Sequence, residues 1–356
     1  MRFRYLPAAA LAILFVLATA PSCDKIGSEG PGTEAPDNTG NNGDNEDNGD
    51  NGNTGDNEDN GNTGNNGDNG DNGNIGDNGG RTGYGWFELP EIVDANGDSM
   101  IDGMDQVYYA SHFCNGKEKD PKGRTARNYT VCFSGTHHCP LWVAAPRHSM
   151  YVGSSGRNDS YRADPKIPAG IQYNSKSTGG GCNKGHMLGS AERTSSVETN
   201  RQVFYYSNIA PQYSSTFNTG GGAWNNLEDF VDGLVCRDTL YEVVGCYFDE
   251  YKDAYGITAT PKKIEFGGRK DVSCPTMYYY ALLRTKQGSS GKAVTQCQSS
   301  ELQCVAFVLR HTMTKGHKPC AKDMISVAEL ERITGFRYFT NVPSAPKDSF
   351  NPSDWL

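Results

Sequence analysis

From residue 27 to residue 83 the chain consists almost wholly of Asn, Gly, Asp, Glu and Thr in imperfect Gly-Asp-Asn units, and Ile75 is its only large apolar side chain. Such a stretch cannot bury enough surface to offset the entropy of ordering its backbone. Any packed core is therefore confined to the C-terminal side of residue 83. Residues 84–356 are expected to form the folded domain, and residues 23–83 a disordered tether. A flexible chain of about 60 residues spans roughly 40 Å on average, and its own charge repulsion extends it. The competing reading, calcium binding by acidic repeats, is disfavoured because the units lack regular ligand spacing.

Ahead of the tether, residues 1–22 carry Arg2 and Arg4, an apolar run from Leu6 to Ala20 and then small residues, the pattern of a signal peptide. The run is short for a membrane span. Ala20-Pro21-Ser22-Cys23 looks like a lipobox, so acylation of Cys23 is expected, the alternative being a cysteine that is removed or paired. The expectation is an exported lipoprotein of the cell envelope, held to the membrane through Cys23, with its periplasmic or outward placement open. Ten further cysteines, from Cys114 to Cys320, suggest up to five disulfides, with the pairing open. No CxxC pair points to zinc.

The net charge of −9 is concentrated in residues 24–83, where fourteen acids face only Lys25 and Arg81. The folded part is close to neutral, so overall charge gives no argument for a nucleic-acid partner, and any basic surface must be local. Runs at 129–134, 141–145, 203–209, 240–247, 277–283 and 304–310 read as strands, rich in Val, Tyr, Phe and Cys. Residues 224–234 place Trp224, Leu227, Phe230, Val231 and Leu234 on one helical face. A second helix is expected after Ser326, with Glu329 completing a capping box and Gly335 as the stop. Many strands with few helices predict an α+β domain built on a mixed, largely antiparallel sheet with packed helices.

Residues 182–230 hold the chemistry. They contain Asn183-Lys184-Gly185-His186, Ser207-Asn208-Ile209-Ala210-Pro211-Gln212, Phe217-Asn218 and Trp224-Asn225-Asn226-Leu227-Glu228. That is one imidazole, a lysine beside it, several amides and a carboxylate, without a serine-nucleophile motif, a P-loop or a paired-histidine metal motif. One histidine with oxygen donors suits hydrolysis assisted by a hard cation.

These segments resemble the DNA/RNA non-specific endonuclease family, whose signature runs Asp-Arg-Gly-His, Ser-Asn-[Ile/Met]-x-Pro-Gln, an Asn, and Trp-x-x-Leu-Glu. Arg157 with Tyr161-Arg162-Ala163-Asp164-Pro165 resembles a further family segment, and residues 325–339 its closing helix and strand. The likeness runs from about residue 128 to residue 343. It implies a ββα-metal (His-Me finger) active site, with the histidine on a hairpin and the asparagine at the start of a helix. It implies His186 as general base and Asn218 as the one direct protein ligand of Mg²⁺ or Mn²⁺. Glu228 would hold metal-bound water, and Arg157 the scissile phosphate, with Arg162 a rival for that role. Lys184 would contact substrate, and Asn183, Asn208 and Gln212 would support the site. DNA and RNA would bind through their phosphates, and the products would carry 5′-phosphates. The family's Asp-Arg is replaced by Asn183-Lys184, and Gly220-Gly221-Gly222 lengthens the link from Asn218 to Glu228. Lysine loses the bidentate fork and asparagine loses a carboxylate.

Two rivals stand beside this reading: a surface lipoprotein that binds nucleic acid with little or no turnover, and a secreted effector nuclease. Two other motifs are set aside. His137-His138 resembles a metal pair, but adjacent histidines usually point apart. Asp94-Ala95-Asn96-Gly97-Asp98, with Asp102 and Asp105, resembles a calcium loop, but Ser99 occupies the turn-glycine position and Asp105 that of the bidentate glutamate.

Overall fold

The computed structural model describes residues 86–115, 118–119 and 125–356. The segments expected to be a signal peptide and a tether, with Cys23 between them, lie outside the described residues. The strands are β1 (Val107–Phe113), β2 (Arg127–Ser134), β3 (Cys139–Arg147), β4 (Cys182–His186), β5 (Ile209–Tyr213), β6 (Leu240–Tyr247), β7 (Tyr251–Lys252), β8 (Thr258–Ala259), β9 (Lys262–Phe266), β10 (Arg269–Cys274), β11 (Met277–Thr285), β12 (Leu302–Arg310) and β13 (Met324–Ile325). The helices are α1 (Val197–Gln202), α2 (Ala223–Asp232) and α3 (Val327–Thr334). Seven strands form one antiparallel sheet in the order β1-β2-β3-β6-β11-β12-β13. Three two-stranded ribbons, β4-β5, β7-β8 and β9-β10, stand apart from it. The α+β expectation holds.

The central strands are buried along most of their length because both faces of the sheet are covered. On one face Trp224 of α2 stacks on Tyr280 of β11, ring centroids 4.9 Å apart, and the Tyr278 hydroxyl donates to Pro211 O of β5. On the other, Tyr338 packs against Tyr279, and its hydroxyl donates to the Tyr279 oxygen at 2.9 Å. Tyr279 can lie flat across β6 because its register partner is Gly245: a Cβ there would sit 2.0 Å from the ring. Helix α2 buries Trp224, Leu227 and Val231, and α3 buries Val327 and Leu330. Ser326 caps α3 by accepting from Glu329 N, and Gly335 ends it in the left-handed conformation at φ 77°.

Two expectations need correction. Residues 203–209 are not a strand: Val203 closes α1, Tyr206–Asn208 make a 3-10 turn, and pairing begins only at Ile209. The run is apolar because it is buried on several sides, which periodicity alone does not distinguish from a strand. The disulfide framework is also not met. Cys114, Cys132, Cys139, Cys182, Cys236, Cys246, Cys274, Cys297 and Cys304 are free thiols. The sheet explains much of this, since Cys132 lies opposite Trp142, Cys246 opposite Tyr278 and Cys304 opposite Leu283. Cys182 and Cys274 meet thiol to thiol between β4 and β10. No helix among the described residues is long and apolar enough to cross a membrane.

Candidate active site

Most of the residues singled out by motif lie on the β4-β5 hairpin or in the chain after it, while Arg157 and Arg162 come from the segment before it. The ladder pairs Asn183 with Gln212, Lys184 with Pro211, Gly185 with Ala210 and His186 with Ile209. Side chains alternate across a strand, so Lys184 and His186 share one face and Asn183 the other. The hairpin is drawn tight at Gly185: a Cβ there would fall 2.1 Å from Gln212 Cδ, so only glycine lets the Gln212 side chain lie across the strand.

On the first face His186 packs edge-on to Phe204, centroids 4.8 Å apart, with the Tyr161 ring at 5.8 Å. Its Nε2 is shielded from solvent and has no protein partner. Burial, and then the positive charge of Arg157, pull its pKa down to about 3, with Lys184 acting in the same direction and Asp159 opposing. Arg157 bonds Asp159 at 2.9 Å and lies over the Phe204 ring at 5.0 Å. Its side chain is 54% exposed, so it can change partners at little cost. Arg162 instead donates to Ser160 O and lies over Tyr205. Of the two arginines, Arg157 is the one in electrostatic reach of the imidazole. Lys184 crosses the Tyr161 ring at 4.9 Å and donates to Lys176 O.

On the second face three amides form a run. Asn183 Nδ2 donates to Asn218 Oδ1 at 3.0 Å, and Asn218 Nδ2 donates to Gln212 Oε1 at 2.5 Å. Gln212 Nε2 is buried without a partner. Asn218 precedes α2 rather than lying in it, because the glycine insertion intervenes and Gly222 is the N-cap. That glycine is required, since a Cβ would come within 2.4 Å of Phe217 O. Asn208 braces the turn after His186: its side chain accepts from Leu188 N and donates to Leu188 O and Val203 O.

Glu228 stands in a different environment. Its carboxyl is held well above the usual range, first by burial and then by the nearby Glu192 carboxyl. Arg147 anchors this acidic region, with Glu192 and Glu242 each at 3.1 Å and Asp232 at 2.5 Å. Sequence reasoning did not single out Arg147, Glu192 or Phe204, which lie outside the motif segments; Tyr161 lies in one of them, but carried no role. Asp164, in the same segment and also without one, accepts from Ser207 at 2.5 Å and lies 2.9 Å from His112 of β1, tying the hairpin to the edge of the sheet.

Among the described residues no group of three or more His, Cys, Asp or Glu side chains is placed to hold a metal ion. His137 turns to Ser273 and His138 to Ile171 O and Asp271. The Asp94 carboxylate is occupied by the backbone N–H groups of Gly97, Asp98 and Ser99 and by the Tyr109 hydroxyl.

The family described as DNA/RNA non-specific endonuclease matches residues 111–345. A nuclease of Nostoc sp. (strain PCC 7120 / SAG 25.82 / UTEX 2576) is 27% identical over 217 residues, covering 60% of this chain and 72% of that protein. Mitochondrial nuclease EXOG of Danio rerio is 26% identical over 234 residues, covering 62% of each chain. Mitochondrial endonuclease G of Homo sapiens is 22% identical over 223 residues, covering 62% of this chain and 70% of that one.

Proposed function

Because the chain belongs to the DNA/RNA non-specific endonuclease family, we propose that it hydrolyses phosphodiester bonds of both DNA and RNA, with Mg²⁺ or Mn²⁺, to 5′-phosphate products. The observation that carries this reading is a neutral, unpartnered imidazole on the hairpin beside an exposed arginine, with the Asn218 amide bonded to Asn183 of the same strand. Asn218 Oδ1 is a hard, neutral oxygen with a second lone pair beyond the bond it accepts, which fits a cation that keeps most of its waters. When bound, that cation would polarise the phosphate and ease departure of the 3′ oxygen.

The residues of the chain do the rest. His186, neutral at physiological pH, accepts the proton of the attacking water. Arg157 leaves Asp159 for a non-bridging phosphate oxygen and offsets the charge that builds in the transition state. Lys184 and Arg162 contact neighbouring phosphates. Asn208 and Gln212 hold the hairpin in shape, and Glu228 orients water near Asn218; a nearby cation would favour its ionised form. Contacts directed at phosphates make activity sequence-tolerant and salt-sensitive. Acylation at Cys23 and a tether of about 60 residues would hold this domain at a membrane of the cell envelope, within reach of extracellular nucleic acid.

A second reading, binding with little turnover, draws on the bond that already occupies Asn218 Oδ1. The two are separated by incubating purified protein with supercoiled plasmid and structured RNA at low salt, with Mg²⁺ or with EDTA. Cleavage that disappears with EDTA is the expected result. Nucleic acid retained but uncut favours the second reading, and intact nucleic acid with no binding overturns both.

A further inference from the structure

The three amides on the second face of the hairpin have a direction. Each N–H in the run points from Asn183 towards Asn218 and from Asn218 towards Gln212, and the last donor, Gln212 Nε2, is left buried and unbonded. Gln212 is fully buried, and Asn183 and Gln212 are direct partners in the β4-β5 ladder. The oxygen that receives the Asn183 N–H is the one the proposed function gives to the cation. An amide donor and a cation both carry positive charge, so they compete for that oxygen.

We infer that Asn183 is a positioning residue that weakens the hold of Asn218 on the divalent cation, an inference that rests on the reading of Asn218 as the metal ligand. An asparagine at 183 can donate or accept, so the run keeps its bonds in either direction and can turn a donor towards the cation's oxygen. An aspartate could only accept. It would fix the run the other way, with Asn218 Nδ2 donating to position 183 and Gln212 Nε2 donating to Asn218 Oδ1. The stranded donor would gain a partner, Asn218 Oδ1 would receive the Gln212 N–H in place of the Asn183 one, and the tighter hold would come from the anion standing beside the cation site. Outer partners of this kind change metal affinity by about 10–100-fold. The single residue difference therefore sets the cation concentration at which the site fills.

The test is direct binding of Mn²⁺ to the full chain in the absence of nucleic acid, read by the electron paramagnetic resonance of free Mn²⁺ or by calorimetry. Asn183→Asp is expected to tighten binding by about 10–100-fold, and Asn183→Ala, which removes the donor without adding charge, to tighten it by less. Combining either change with Asn218→Ala is expected to erase the gain. Thermal melting of each metal-free variant reports folding separately from binding. Equal affinity in the parent and Asn183→Asp, with binding still lost in Asn218→Ala, overturns the inference and leaves the metal-ligand reading standing. Weaker binding in a folded Asn183→Ala also overturns it. Mn²⁺ binding that ignores Asn218→Ala, or no binding in any variant, overturns the metal-ligand reading and the inference with it.

Discussion

His186→Ala is expected to lower plasmid cleavage by about 10²–10⁴-fold while nucleic-acid binding changes little. The size follows from losing a positioned base, and the retained binding from the fact that Arg157, Lys184 and Arg162 do not lean on the imidazole through any bond. The pH profile is the sharper readout. An ordinary imidazole has a pKa of about 6.5, but burial and the Arg157 charge pull this one down to about 3. The base therefore stays unprotonated through the mildly acidic range, and kcat/KM is expected to show no loss centred on pH 6.5. An acid limb with its midpoint there, absent from the residual activity of the variant, would sink this account of the site. The same shift carries a sign for stability. The unfolded chain takes up the proton first as pH falls below 6.5, so the parent loses stability between there and about 3, and His186→Ala removes that contribution.

Arg147→Met is expected to destabilise the domain by about 3–5 kcal/mol in chemical denaturation at neutral pH. Methionine keeps most of the aliphatic volume, so the effect isolates the charge. Arg147 is the shared partner of Glu192, Glu242 and Asp232, and both glutamates are nearly excluded from solvent, at 8% and 1% exposure. Two buried guanidinium groups, Arg147 and Arg193, face more carboxyls than they can neutralise, and burial pushes Glu192 up to about 8 even with Arg147 opposing. A carboxyl raised on folding binds its proton more tightly in the native state. The parent therefore gives up stability as pH rises from 4.5 through about 8, and the variant gives it up more steeply. A cost below about 1 kcal/mol would mean that the network is worth no more than a surface pair.

What could be read from the chain divides along physical lines. Helix α3 was legible because its signals are local: the Ser326 hydroxyl supplies the first-turn acceptor and Gly335 the left-handed stop. Strand β12 was legible because a strand buried on both faces is a nearly continuous apolar run, Val305 to Leu309. The hairpin that carries the site was not. Cys182–His186 has no alternation and contains a glycine, which the close approach of the Gln212 side chain requires. Its residues were found by motif, and Asn183, Gln212 and Asn218 do come together. The motif marked Glu228 but not its setting, in which the charged groups around it are Glu192, Asp232 and Asp229. Strand β1 was missed since Val107–Phe113 mixes apolar and polar residues at the sheet edge, where buried and half-buried positions follow no strict alternation. Spacing said nothing of what faces each cysteine: the sheet register decides it for Cys132, Cys246 and Cys304, and the approach of two separate ribbons for Cys182 and Cys274.

The two-stranded β4-β5 ladder shares no backbone ladder with the seven-stranded sheet, which it meets through the Tyr278 hydroxyl on Pro211 O. Amide hydrogens of β3, β6 and β11 are locked behind bonded strands on either side and can exchange with solvent only when the whole domain opens. Those of β4 and β5 need only the hairpin to part. The molecule therefore keeps two clocks, a slow one in the sheet and a faster one in the ladder that carries His186, and solvent deuterium will reach the ladder first.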